Sequence, residues 1–335
     1  MRWISMRRPL SRILLLHLGR LSEVVFALPA CSAVRERFPD ARITGVATPW
    51  GCELLALSGV VSDCWPIKST HPADLLLPWN ALDAIQAMGE LREREYELAV
   101  DFHPSGGTIL IALAAGVRAR LAAGRSEGLA GLFFNVWRLP EDPRRHLVDR
   151  YLDALRALDI SPRVRIPTVR TDPEADERFE RWLRTRGVEP GELLIGFSPE
   201  ADPGATPWPW ERFRDLAQRL VAHFRARILN VGGEGPTRRE FPKGTLRVRA
   251  RALRELASAL ARCALVISGD AGVGHLAAAL GVPTLMLGCT STRRPLGDEH
   301  RFVERAALDR YSVERVFEMA SEMLGRSRTT TLFRS

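Results

Sequence analysis

Six consecutive residues, Asp270-Ala271-Gly272-Val273-Gly274-His275, carry the clearest chemistry in the sequence. They follow the apolar run Ala264–Ile267 and the turn-forming Ser268-Gly269, and lead into a small-residue helix stopped by Gly281 and Pro283. A helix that starts near Gly272 aims backbone N–H groups and the positive end of its dipole at whatever lies beyond the strand. An anion such as phosphate is the natural occupant. Thr284–Leu287 reads as the next strand and Gly288-Cys289-Thr290 as another loop. Both loops therefore fall at the carboxyl ends of strands, where open α/β sheets bind ligands. Asp270 reads as a cap or loop organiser, because a carboxylate beside phosphates repels them. His275 reads either as a phosphate ligand or as a capping and packing residue.

The elements that must position this loop alternate along the chain as βαβ units do. Strands are expected at Ile13–Leu18, Arg42–Ala47, Cys64–Ile67, Leu98–Phe102 and Val117–Ala122. Helices between and after them are expected at Glu23–Arg37 (N-cap Ser22), Trp50–Leu57, Trp79–Arg94, Thr108–Ala115 and His146–Leu158. Asp159–Pro173 carries three prolines and no helical period, so it reads as a linker. A second series follows the helix Glu174–Arg186, with strands at Leu193–Phe197, Arg227–Val231 and Leu246–Arg249 and helices at Trp210–Phe224 and Ala252–Ala261. A final helix, Ser312–Leu324, precedes a polar tail. The resulting division is a first domain over 1–160, a linker with its helix over 161–190, a second domain over 191–325 and a tail over 326–335.

Composition narrows the class of function. At 335 residues the chain suits two domains, and its 46% hydrophobic and 26% charged content is that of a globular protein. A net charge of +8 points to an acidic partner. The charge is mostly dispersed arginine, which argues against nucleic acid. No apolar run reaches the roughly 20 residues of a membrane span. The basic, briefly apolar N-terminus reads as a lead into a first buried strand, with at most a weak contact with an anionic membrane surface. Five cysteines in no CxxC or metal spacing are expected to be reduced thiols in a cytosol. Nicotinamide, Walker-type and α/β-hydrolase signatures are missing from the sequence. Asp101 and His103 find no third ligand, so no metal site is expected.

Five ordered stretches resemble glycosyltransferase family 9, the ADP-heptose:lipopolysaccharide heptosyltransferases. DAGVGHLAAALGVPTLMLGCT is similar to the family's nucleotide loop, and HLGRLSEVVFALPAC to its first loop. YELAVDFHPSGG, HLVDRYLDALRALDI and IGFSPEADPGATPWPWERFRDLAQRL resemble three further segments, and together the five span roughly residues 12–325. The resemblance implies an α/β GT-B fold: two Rossmann-like parallel-sheet domains facing an interdomain cleft. Four departures stand out. Glu23 replaces the family's Asp, regarded as the catalytic base, and follows Ser22 instead of Gly. Thr206 replaces a Lys that faces the donor phosphates, and Ala271 replaces a Thr. Gly232-Gly233-Glu234-Gly235-Pro236 stands where the family has Gly-Gly-x-x-Glu.

What the resemblance implies is an inverting, metal-independent transferase. It would move a heptose or related sugar from a nucleotide-diphosphate donor, ADP-linked in the family, to an anionic glycolipid or glycan such as lipopolysaccharide core. No cofactor and no nucleic acid are implied. Glu23 is then the base. Asp270, Ala271, Gly272, Val273, Gly274, His275 and Thr290 form the donor phosphate site, with Ser198, Thr206, Gly233 and Glu234 contacting the nucleotide. Arg20, His103, Arg118, Arg120 and Arg125 lie on the acceptor side. The location implied is cytoplasmic, with possible peripheral attachment at the inner face of the membrane. The departures leave an alternative open: a GT-B protein that binds sugar nucleotide or glycan without turnover.

Overall fold

Eleven short strands in the described residues fall into two all-parallel sheets, each built from buried apolar runs. The structure is a computed structural model and describes residues 10–67, 89–123, 142–202, 207–232 and 241–332. The chain divides into two units, 1–167 and 168–335. The expected helix Trp79–Arg94 falls largely outside the described residues, as do Arg125, Thr206, Gly233 and Glu234.

The first unit carries a sheet in the order β3-β2-β1-β4-β5. Its strands are β1 (Arg12–His17), β2 (Arg42–Ala47), β3 (Asp63–Pro66), β4 (Leu98–Asp101) and β5 (Ala119–Ala122). Ile13 to Leu16 and Leu98 to Val100 are shielded from water, as central parallel strands covered on both faces must be. The helices are α1 (Leu21–Arg37), α2 (Pro49–Leu57), α3 (Gly106–Ala114) and α4 (Leu147–Ala154), the last continued by a 3-10 turn, Leu155–Leu158. Helix α1 begins two residues before the expected Glu23 start. Arg20 takes the N-cap position in place of Ser22, and Ser105 caps α3 through Thr108 N.

The second unit begins with α5 (Pro173–Arg184), capped by Asp172. Its sheet runs β11-β10-β9-β6-β7-β8, from β6 (Leu194–Ser198), β7 (Arg227–Asn230), β8 (Leu246–Arg247), β9 (Leu265–Gly269), β10 (Thr284–Cys289) and β11 (Arg301–Glu304). Helices α6 (Trp210–Phe224), α7 (Leu253–Ala261), α8 (Gly272–Ala279) and α9 (Val313–Leu332) complete it. Phe197, Trp208, Phe213, Leu216 and Val316 share the core on one face. Burying a side chain of this size contributes about 2 kcal/mol.

The structure adds to the sequence expectations and corrects some of them. The units part at Pro167/Thr168, within the segment 161–190, and α5 packs on α7, with Arg262 Nε donating to Glu180 Oε1 at 2.7 Å. The tail from Gly325 continues helically to Leu332. Edge strand β11 was not foreseen, because four residues with a charge at either end carry too little apolar pattern. Finally, Cys52 and Cys64 form a disulfide, with Cα atoms 5.5 Å apart. Only the pairing of β2 with β3 brings them together, and Gly45 leaves the room, since a Cβ there would lie 2.9 Å from Cys64 Sγ. The cysteine count therefore ceases to argue for a reducing compartment. Cys31, Cys263 and Cys289 are free and buried, and burial pushes each thiol up to about 12.

Candidate active site

Each sheet reverses its winding beside its first strand, between β1 and β4 in the first unit and between β6 and β9 in the second. The crevice outside such a reversal is where doubly wound sheets place their ligands. The loops at both reversals hold most of the residues that the sequence singles out.

In the first unit, β1 delivers His17 and the turn Leu18-Gly19-Arg20 into α1, and β4 delivers Asp101 and His103 beside it. Glu23, third residue of α1, folds back so that Oε2 accepts the Arg20 backbone N–H at 3.0 Å. The same oxygen lies 3.7 Å from His103 Nε2. Gly19 is what lets these groups meet. A Cβ on it would fall 2.6 Å from Glu23 Oε2 and 2.8 Å from both His103 Cδ2 and His17 Cε1. The His17 and His103 rings stack at 5.8 Å, and Tyr151 closes edge-on over His17.

Two buried groups behind Glu23 have displaced proton affinities. Burial, followed by repulsion from His103, lowers His17 to about 4, so this imidazole is neutral at pH 7. Its Nδ1 accepts the Gly19 N–H at 3.2 Å, which places the proton on Nε2. Asp101 is wholly buried, and burial pushes its carboxyl up to about 7 even though Oδ1 accepts the His103 backbone N–H at 2.9 Å. The site thus holds one partly accessible carboxylate near a neutral imidazole, His17, and a buried carboxyl, Asp101, of raised proton affinity. Such an arrangement suits proton abstraction near neutral pH.

The expected acceptor-side arginines are spread out. Arg20 caps α1 beside Glu23. Arg118 precedes β5 and Arg120 is its second residue, in register with Ala99 near the amino end of the sheet. Glu23 and His103 lie at the opposite, carboxyl end. Sequence proximity could not separate the two ends of one strand.

In the second unit, β9 ends at Gly269 and α8 starts at Gly272 with Ala271 as an N-cap that offers no side-chain hydrogen bond. The first-turn amides at Gly272 and Val273 are therefore without a side-chain cap, as an anion site requires. Asp270 turns inward: Oδ2 accepts from Arg305 at 3.0 Å, and Oδ1 lies 3.6 Å from Nε2 of the buried His275. Burial would raise this carboxyl, but hydrogen bonding and charge from His275 and Arg305 outweigh it and hold the group below the usual range. Arg305 Nε also donates to Gly288 O. Arg305 escaped sequence reasoning because it lies 35 residues from Asp270 and outside any motif.

The glycines of this loop divide by role. A Cβ on Gly274 would meet Met286 Cε at 2.7 Å and Ser268 at 2.8 Å, so Gly274 lets α8 seat on the sheet. A Cβ on Gly269 would lie 2.3 Å from the Glu200 carbonyl oxygen, so Gly269 admits the loop after β6. That loop is tied down by Asp202 N donating to Asp270 O at 2.7 Å. Ser198 ends β6 opposite Ser268, with its hydroxyl buried and no hydrogen-bond partner among the described residues. Thr290 follows β10, and its hydroxyl pairs with that of Thr292 at 3.2 Å.

Comparison with known proteins agrees with this fold. The family model for glycosyltransferase family 9 (heptosyltransferase) matches residues 85–305. No curated protein matches the chain. Among solved structures, a family 9 glycosyltransferase from Veillonella parvula is 19% identical, with TM-score 0.82 over 95% of this chain and 99% of its own. The E. coli ADP-heptose lps heptosyltransferase II is 20% identical, with TM-score 0.77 over 95% and 99% of the two chains. E. coli heptosyltransferase WaaC, solved with ADP-2-deoxy-2-fluoro heptose, is 19% identical, with TM-score 0.71 over 93% and 99%. With a family model covering about two thirds of its length and two Rossmann-like units of GT-B type, the chain belongs to glycosyltransferase family 9, the heptosyltransferase family.

Proposed function

We propose that this protein transfers a heptose, or a closely related sugar, from an ADP-linked donor to a hydroxyl of an anionic glycolipid such as lipopolysaccharide core, with inversion and without a metal ion. The observation that carries the reading is the α8 N-terminus at the reversal of the second sheet, without a side-chain cap and beside Arg305. A diphosphate there meets backbone amides and a guanidinium, with Thr290 and Ser198 at neighbouring strand ends. Solved relatives named for ADP-heptose support the donor class.

In the first unit Glu23 is assigned as base. The acceptor oxygen's lone pair forms the new bond to the anomeric carbon as the bond to the diphosphate breaks. The electron pair of the broken bond leaves on the diphosphate, and the hydroxyl proton passes to Glu23. A single displacement of this kind inverts the anomeric centre. Arg20 is assigned to the acceptor side, where its charge suits an anionic glycolipid. Metal independence belongs to the proposal, and among the described residues no three His, Cys, Asp or Glu side chains are grouped as a metal ion requires. No described helix is long and apolar enough to cross a membrane. We place the protein in the cytoplasm, at the inner membrane face, because donor and acceptor meet there in this reading.

Thermal-shift titration with ADP, UDP, GDP and ADP-heptose tests the donor. A ligand at 100 times its Kd adds about 2.7 kcal/mol of stability. Stabilisation by ADP and ADP-heptose above the other nucleotides is expected. No shift with any of them at millimolar concentration would overturn the reading in favour of a GT-B protein without turnover.

A further inference from the structure

We propose that His103 is the positioning residue for the Glu23 carboxylate, so that the base of this enzyme works as a carboxylate–imidazole pair. The inference rests on the assignment of Glu23 as base. Glu23 stands where the resembled pattern has the shorter Asp, and an extra methylene gives the carboxylate a wider arc to wander. Two contacts restrict it. The Arg20 backbone N–H fixes Oε2 from the helix side at 3.0 Å, and His103 Nε2 faces the same oxygen from the β4 side at 3.7 Å. The second distance is a close carboxylate–imidazole approach, and catalytic contacts of this kind tighten when a substrate arrives.

His103 is itself held in place. Its backbone N–H is anchored on Asp101, and its ring is stacked on His17. Its Nδ1 is buried with no hydrogen-bond partner among the described residues, which leaves the Nε2 edge facing Glu23 as the ring's polar contact. The charged and titratable groups around the pair are Arg20 from the loop before α1, His17 from β1 and Asp101 from β4. Tyr151 on α4 touches His17 rather than the pair. Gly19 completes the argument, since any side chain there would part the carboxylate from the imidazole.

NMR spectra of the histidine Cε1–H resonances in the full chain test the pairing without any substrate, with His103→Gln assigning the signal. In Glu23→Gln the His103 resonance is expected to move at constant pH while the other histidine resonances outside this cluster stay in place, because the group facing its Nε2 edge has changed. An unmoved His103 resonance overturns the proposal. Transfer from ADP-heptose then tests the role. His103→Ala is expected to lose about 10-fold in kcat with donor KM unchanged, and His103→Gln, which restores a donor, to recover most of the loss. Full kcat in His103→Ala overturns the positioning role. Full turnover in Glu23→Ala would instead overturn the base assignment, and the resonance result would stand apart from it.

Discussion

Both units carry their chemistry at the same topological point, yet the two crevices are built from opposite materials. In the first, the helix after the first strand caps itself: Glu23 turns back on the Arg20 N–H, and the surrounding groups are imidazoles and a half-protonated carboxyl. In the second, Asp270 before the helix start is tied up by Arg305 and His275, and the helix N-terminus has no side-chain cap. In the proposed reading, one fold position thus supplies proton chemistry in one unit and anion chemistry in the other. The difference comes from which residue sits in the first helical turn: an acid at the third position of α1, and small residues without a side-chain acceptor in α8.

The two acids offer the sharpest way to break this comparison. Glu23→Ala is expected to lower turnover by about 100-fold to 1000-fold while leaving nucleotide stabilisation intact, because general-base contributions are of that size. Asp270→Ala is expected to do something different. It removes the carboxylate that faces the buried His275 imidazole and the Arg305 guanidinium, and should cost about 3 kcal/mol in denaturant unfolding of the second unit. If Asp270→Ala folded normally and lost only turnover, Asp270 would be a catalytic group and the contrast between the crevices would collapse.

The pH response sharpens the same contrast. His17 binds a proton in the unfolded chain below pH 6.5 but in the folded unit only below about 4, so its neutral burial is a stability loss that grows as pH falls through that window. Asp101 acts in the other direction. Its folded carboxyl keeps a proton up to about pH 7 while the unfolded one releases it near 3.8, so stability is lost as pH rises between those values. The two slopes oppose each other between pH 4 and 6.5. Asp101→Asn keeps an acceptor for the His103 N–H and removes one of them. Relative to the wild type it should gain about 4 kcal/mol in the first unit between pH 4 and 8, as followed by amide exchange of β1 and β4. A constant difference between the two proteins across that range would mean that Asp101 is ionised throughout.

Much of this was legible in the sequence, for identifiable reasons. Buried parallel strands read as unbroken apolar runs, so β1, β4, β9 and β10 were found within a residue or two, and Trp210–Phe224 matched its helix at both ends. The glycine loop at 269–274 and Glu23 stand out through local pattern and family likeness. What escaped were pairings across the chain. Arg305 on Asp270, His103 on Glu23 and Cys52 on Cys64 are each set by strand order, which no local spacing encodes. Arg118 and Arg120 show the converse separation. They lie close to His103 in sequence, but a parallel strand puts its first and last residues at opposite edges of the sheet.

The smallest expected effects come from a pair of glycines, and they separate function from packing. Gly19→Ala places a methyl group 2.6 Å from Glu23 Oε2, so the carboxylate and His103 must move apart. The site is partly open and the side chains can yield, so stability should change by less than about 1 kcal/mol. A displacement near 1 Å at the base should nonetheless lower kcat by about 10-fold to 100-fold. Gly274→Ala drives its methyl group into Met286 and Ser268, both in the interior of the second sheet. Overpacking of this kind costs about 1–3 kcal/mol, softened here because Met286 Cε is the end of a flexible side chain. Once folded, that variant should turn over at close to the normal rate at low temperature. Measuring melting and kcat for both variants assigns each glycine to one crevice or one core. If Gly274→Ala lost donor affinity while keeping its melting temperature, the amide at that position would be a ligand for the donor rather than a seat for the helix.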